Sequence, residues 1–318
     1  MQGAYGNHAG PASVGPAPVP QKRWGHRWRK RETLIAYLFV APWLIGMSAF
    51  YIGPMVASFV YSLTDYPIIA KPHWVGLANY RQMLHDTQFR QALEVTTMYM
   101  AGSVILYVAG ALCLALLCNR RLPGVGMLRT LIFLPSLVPL FAMAILWGWF
   151  FNKDFGIVNY VLHQLGAPKQ GFFQSSSQAL PLCITISFWT IGTAFVVFLA
   201  GLQSIPQDLY EAATIDGAGG LRRFWHVTLP MLSPVILFNL VIGVILSFQV
   251  FDIAWALTKG GPGNATLFFV LYIWEQAFQN FAMGYASALA WVLFLIIVIV
   301  TALIFRTARY WVHYEGAR

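Results

Sequence analysis

Residues 204–234 read SIPQDLYEAATIDGAGGLRRFWHVTLPMLSP, a polar, glycine-broken stretch set between two long apolar runs. The flanking segments 170–207 and 224–251 contain no Asp, Glu, Lys or Arg. Outward from there the pattern repeats, with charge-free runs at 34–64, 95–119, 130–152 and 276–305. A spanning helix needs about 20 apolar residues, so each run is long enough to hold one. The expected spans are 35–62, 93–118, 129–151, 180–202, 231–257 and 283–306.

Composition agrees with a polytopic membrane domain. Of the 318 residues, 58% are hydrophobic and only 10% are charged, against about 25% charged in soluble domains. The mean hydropathy is +0.63. The net charge of +9 does not point to nucleic acid, because no basic face with interleaved aromatics occurs. The basic residues cluster instead at the ends of the apolar runs, which is a topology signal. With the N-terminus in the cytoplasm, fourteen of the 20 Lys and Arg fall on inner segments. Both termini and the opening stretch are then cytoplasmic.

Residues 1–21 carry no charged side chain and are rich in Gly, Pro and Ala, so they cannot bury a core and are expected to be disordered. The basic segment KRWGHRWRKRE follows at 22–32. This gives a disordered, basic cytoplasmic tail over 1–33 and a membrane domain over 34–318. A signal peptide is the competing reading of the first run, but the run exceeds a 7–15-residue signal core. TLFFVLYIW (266–274) makes only about 14 Å of helix, too short to cross, and is expected to be interfacial or re-entrant.

Within the opening stretch, Ser204 and Gln207 have capping-box spacing, so a helix is expected to start there. Asp208 and Glu211 sit near its N-terminus, where the helix dipole favours negative charge. The helix stops at Gly217-Ala218-Gly219-Gly220, and LRRFWHVT (221–228) can form a second short helix. Tyr210, Ala213, Phe224 and Trp225 are residues a solvated loop does not need. A short helix of small and apolar residues suits a groove on another protein; packing back on the membrane domain is the alternative.

Here the sequence resembles a known family. Glu211-Ala212-Ala213, Gly217, Val227 and Leu229-Pro230 resemble the EAA signature of binding-protein-dependent ABC importer permeases, with Val227 where the family usually has isoleucine. Asp216-Gly217-Ala218 is also typical. RTLIFLPSLVP (129–139), FDIAWALTKGGPGNAT (251–266) and FAMGYASALA (281–290) resemble the carbohydrate branch, of the maltose and glycerol-3-phosphate type. The resemblance covers roughly residues 30–310. It implies an all-α membrane protein with six transmembrane helices and a cytoplasmic EAA coupling-helix loop, the type I ABC importer permease fold. It also implies two ATPase subunits, a second and different permease, an extracytoplasmic solute-binding protein, and a sugar or oligosaccharide as solute. By carry-over, Glu211, Ala212, Ala213, Asp216 and Gly217 are the positions that couple to the ATPase.

Asp252 is the one acidic residue more than a helical turn inside an expected span. Ionisable groups there usually face a cavity or a partner. On a continuous fifth helix, Phe248, Asp252 and Trp255 share a face, with Ser247 and Gln249 nearby. A carboxylate, an amide and aromatic rings are the chemistry that holds a sugar. The alternative places Asp252 about 31 Å along the helix, near the outer interface, with Trp255 as an interfacial anchor.

No phosphate-binding GxxxxGK[S/T] loop occurs, so ATP hydrolysis is expected on a separate subunit. The seven His are scattered, and no metal-ligand spacing or cofactor motif stands out. Cys113, Cys118 and Cys183 lie in apolar runs and suggest no disulfide framework. A self-contained secondary transporter or channel is the alternative; it would need intramembrane ion-relay charges, and only Asp252 is available.

Overall fold

The computed structural model describes the backbone of residues 26–120 and 123–313, with side chains from residue 33 onward. The disorder expected for residues 1–21 lies outside the described residues. The chain divides into two units, 1–56 and 57–318.

The first unit holds α1 (His26–Met47) and a π-helical turn, Ser48–Ile52. Among the described residues, 26–33 are helical, although the tail to which they belong is expected to be disordered. The π turn ends where Gly53 N–H bonds to Ser48 O. Pro54 follows, and a proline ring clashes with the carbonyl four residues back. The wider turn accommodates it, and helix α2 (Gly53–Ser62) continues. Large apolar side chains such as Phe39, Phe50 and Tyr51 are more than three-quarters exposed, which suits lipid rather than water.

The second unit takes up the chain within α2 and continues with a short hairpin, β1 (Thr64–Asp65) against β2 (His73–Trp74), antiparallel with Thr64 opposite Trp74. α3 (Ala78–His85) follows. Its buried Asn79 donates to Ser62 O and Thr64 O at 2.8 and 2.9 Å. α4 (Thr87–Cys118) is the central helix; the later helices gather round it. Arg129 closes its far end by donating from Nη2 to Cys118 O at 2.8 Å.

The third span is broken. α5 (Val125–Phe133) and the 3-10 turn Leu134–Leu137 meet α6 (Leu140–Phe150) at 97°. Pro139 lacks an N–H and pushes Val138 into an extended conformation. A single helix over 129–151 is therefore corrected to two halves. α7 (Ile157–Gln164) lies in the connection. The fourth span is bent by 50° between α8 (Ala179–Ser187) with its 3-10 turn Phe188–Thr190, and α9 (Gly192–Ser204). At Gly192 a Cβ would stand 2.7 Å from Ser136 Oγ and 3.1 Å from Ile132 O, so this crossing requires glycine.

α10 (Gln207–Ile215) and α11 (Gly220–Arg223) form a hairpin. The capping box is not formed. Ser204 ends α9, its hydroxyl donates back to Gly201 O at 2.8 Å, and the chain extends through Ile205-Pro206 before α10. Nor is 221–228 a separate short helix. It runs through a π turn, Phe224–Thr228, into α12 (Leu229–Phe248) as one 29-residue apolar helix. Leu229 N–H bonds to Phe224 O, and Pro230 follows, the arrangement seen at Gly53-Pro54.

The fifth helix also ends earlier than 231–257. It stops at Phe248 and restarts as α13 (Asp252–Leu257). The 266–274 segment becomes α14 (Phe269–Trp274), buried against α4 and α15 (Met283–Trp311) rather than lying on a surface. Phe269 N–H finds Thr96 Oγ1 at 2.8 Å, satisfying a backbone donor that lipid would strand. Asp86, the N-cap of α4, accepts from Gln88 and Phe89 N–H and from the hydroxyls of Tyr272 and Tyr285. One carboxylate thus joins α4, α14 and α15. Burial alone would raise its pKa, but the phenol and backbone donors outweigh burial and hold it below its ordinary value.

Among the described residues, four helices are long and apolar enough to cross a membrane, and six spans result if each bent pair counts as one.

Candidate functional site

Two places stand out, and each gathers residues named from sequence. The first is the 207–223 hairpin. α10 ends in a Schellman motif: Ala218 N–H bonds to Ala213 O at 2.8 Å and Gly217 N–H to Thr214 O at 3.0 Å. Gly217 has φ +74°, a conformation that costs other residues strain. The hairpin is fastened to the domain by buried Ile205 and by Tyr210 Oη, 3.0 Å from Thr228 Oγ1. Arg223 ties its two arms by donating to Thr214 Oγ1 at 3.2 Å.

What remains faces outward. Glu211, Ala212, Asp216 and Gly217 are exposed, and Ala213 is half-buried. Beside them Ile215 and Leu221 are 87% and 74% exposed, and Trp225 57%. An exposed carboxylate, small residues and three large apolar side chains make a face that a partner can cover.

The second place is a cavity of about 420 Å³, within the range of small-molecule sites. Three helix interruptions meet there. The bend at Val138-Pro139 contributes Ser136, Val138 and Leu140, and the bend before Gly192 contributes Ser187, Thr190 and Thr193. The break after Phe248 contributes Ser247, Gln249, Phe251 and Asp252, while α4 supplies Tyr99, Ser103 and Tyr107. Irregular backbone at membrane depth is tolerated where it lines a cavity, and broken helices are where transporters build solute sites. Ser103 Oγ lies 3.0 Å from Ser247 Oγ, linking α4 to α12 across the wall.

Of the five expected path residues, Ser247, Gln249 and Asp252 line the cavity. Phe248 does not; it is 2% exposed, in the core. Trp255 packs in an aromatic cluster, with ring centroids 6.0 Å from Phe251 and 4.2 Å from Trp274. The shared-face argument is corrected: the helix breaks between Phe248 and Asp252, so helical spacing does not relate them. Asp252 is the one charged side chain in the lining and has no ion-pair partner among the described residues.

The lining hydroxyls of α4, Ser136, Ser187, Thr190 and Thr193 were not legible in the sequence. Isolated Ser and Thr in apolar helices usually bond back to their own turn, as Ser136 does to Phe133 O and Ser187 to Ile184 O. Pro135 and Pro139 were the available signal, because a proline pair marks a broken span.

The profile of the family described as binding-protein-dependent transport system inner membrane component matches residues 119–311. The chain belongs to this family. Relatives extend the match over most of this permease. A probable ABC transporter permease protein, YesP of Bacillus subtilis, is 40% identical over 292 residues, covering 90% of this chain and 94% of the relative. The sulfoquinovosyl glycerol transport system permease protein SmoG of Agrobacterium fabrum is 36% identical, with 90% and 94% covered. The trehalose/maltose transport system permease protein MalF of Thermococcus litoralis is 35% identical, with 88% and 95% covered.

A chain from the crystal structure of a bacterial alginate ABC transporter, in complex with alginate pentasaccharide-bound periplasmic protein, superposes with a TM-score of 0.80 at 23% identity. It covers 91% of the permease and 98% of that chain. The fold is the type I ABC importer permease fold, and the protein is a multi-pass inner membrane component.

Proposed function

We propose that this permease forms part of a transmembrane pathway for a sugar or oligosaccharide, working by alternating access, with the 420 Å³ cavity as the solute chamber. The observation that carries this reading is the lining: hydroxyls, an amide and a carboxylate beside aromatic rings, gathered at three helix breaks. Hydroxyl-bearing side chains and Asp252 can exchange hydrogen bonds with a sugar, while Phe251 and Tyr107 offer apolar faces. The names of the relatives, which include trehalose/maltose and sulfoquinovosyl glycerol transport, support the solute class.

The exposed face of the hairpin receives the motion. An ATPase docks on Glu211, Ala212, Ala213, Asp216 and Gly217, and two such subunits serve this permease and a second, different one. An extracytoplasmic binding protein delivers the solute to the opposite side. The distribution of basic residues supports a cytoplasmic position for both termini and the hairpin. A liganded binding protein outside then alters ATP hydrolysis inside, since coupling between two binding sites is reciprocal.

The test is purification of the chain from its native operon, reconstitution in proteoliposomes, and uptake of a radiolabelled panel of maltose, trehalose, glucose, xylose and sn-glycerol 3-phosphate. An ATPase and a second permease should co-purify, and uptake should require ATP. Asp252→Asn should lower uptake of the sugar that enters while leaving the complex assembled. Uptake without ATP by the chain alone would mean a secondary transporter and overturn the proposal.

A further inference from the structure

A second cavity, of about 370 Å³, lies at the ends of the third, fourth and fifth spans away from the hairpin. Its lining includes Phe151, Lys153, Phe173, Gln174 and Thr258. It shares two walls with the inner cavity. α6 runs from Leu140 at the inner cavity to Gly148 at the distal cleft, and α13 from Asp252 to Leu257. On that α-helical rise the two spaces stand roughly 10 Å apart.

Between them runs a chain of rings. Phe173 and Phe151 have centroids 6.2 Å apart, Phe151 and Trp147 5.5 Å, and Trp147 and Trp189 5.2 Å edge-on. Trp189 directly precedes Thr190 of the inner cavity. The Nε1–H groups of Trp147 and Trp189 are both buried without an acceptor, unusual for indoles inside a protein. Two polar side chains of the cleft are uncommitted, although Asn152 Oδ1 accepts from Asp154 and Phe155 N–H and Thr258 Oγ1 bonds to Ala254 O. Neither Lys153 Nζ nor the Gln174 amide has a hydrogen-bond partner among the described residues, whereas neighbouring Asp154 is engaged by Lys169 at 3.0 Å.

We propose that the distal cleft is a second solute site, in line with the first. A sugar ring rests against Phe151 and Phe173, with Gln174 and Lys153 bonding its hydroxyls. The Trp147–Trp189 pair closes the way to the inner cavity, and its two indole donors meet sugar hydroxyls as the solute passes. This rests on the reading of the protein as a sugar permease.

The test uses the complete complex in proteoliposomes, with Cys113, Cys118 and Cys183 replaced by Ser and Gln174→Cys in the cleft. The probes are a charged, membrane-impermeant thiosulfonate and the panel sugar that enters in the uptake assay. Without nucleotide, that sugar should slow modification of the Gln174→Cys thiol about fivefold or more, and should still do so when Ser247→Trp fills the inner cavity. Absence of protection in a complex that still takes up the sugar overturns the cleft site and leaves the permease reading standing. Loss of protection with Ser247→Trp means one site, not two. A complex that takes up nothing from the panel counts against both readings.

Two further variants read the same geometry. Phe151→Ala should raise the half-saturating sugar concentration about tenfold more than it lowers the maximal rate; a fall in maximal rate alone would make Phe151 merely structural. Trp189→Ala should speed modification of Thr193→Cys in the inner cavity about tenfold without nucleotide, and an unchanged rate removes the plug.

Discussion

The hairpin at 207–223 and the break at 249–251 each interrupt an apolar run, yet one is held by its neighbours in sequence and the other by distant helices. The hairpin's turn is a Schellman closure within six residues, and its glycine at φ +74° has open space around it. The break after Phe248 has no comparable local device. It follows a buried Phe248 and Ser247, whose hydroxyl meets Ser103 of α4, 144 residues away. Local interruptions make a projection that a partner can grip. Tertiary interruptions make a hollow, because several helices must part at one depth.

The largest effect should come from reversing charge on the projection. Glu211→Lys is expected to lower ATP-dependent uptake by about a hundredfold through lost ATPase contact, with the chain still inserted and the cavity intact. Wild-type uptake in that variant would break the division between a gripping face and a solute chamber.

Asp86→Ala, away from both places, leaves two phenols and two backbone N–H groups of the α4–α14–α15 junction without their shared acceptor. A loss of about 3 kcal/mol in stability is expected, read as a lower thermal midpoint in detergent. The same carboxylate predicts a pH dependence. Its folded pKa is depressed below 3.8, so its stabilisation is complete above the ordinary carboxylate range and fades as pH falls through the folded value. Asp86→Asn should flatten the acid limb of the stability profile, and an unchanged limb would remove the assignment.

The two glycines give the finest comparison. Gly192→Ala sets a methyl 2.7 Å from Ser136 Oγ at the bend beside the cavity, and overpacking there should cost about 2 kcal/mol. Gly217→Ala meets nothing within 4 Å and pays only for the left-handed backbone, about 1 kcal/mol. Equal losses would mean that the hairpin turn, too, depends on distant packing. Thermal denaturation of the two variants side by side makes the comparison.

The helical, membrane-embedded character of the chain and the hairpin were legible for a physical reason. Apolar length and charge placement are properties of contiguous residues, and so is a glycine-terminated helix. The positions of Glu211 to Gly217 could therefore be read without a fold. Local spacing also misled. Ser204 and Gln207 satisfied a capping pattern, but α9 extends through Ser204, and its hydroxyl is spent on Gly201 O. Phe248, Asp252 and Trp255 satisfied a helical face on a helix that does not continue.

What the sequence determined by itself is that this chain crosses a membrane and presents one polar hairpin, since both follow from solvent preference and short-range hydrogen bonding. Only the tertiary structure decided where the spans break, which hydroxyls meet around Asp252, and that α14 is buried beside α4 and Asp86. Those outcomes depend on which helices approach one another, and a side chain such as Ser136 or Thr193 carries no mark of its distant neighbours.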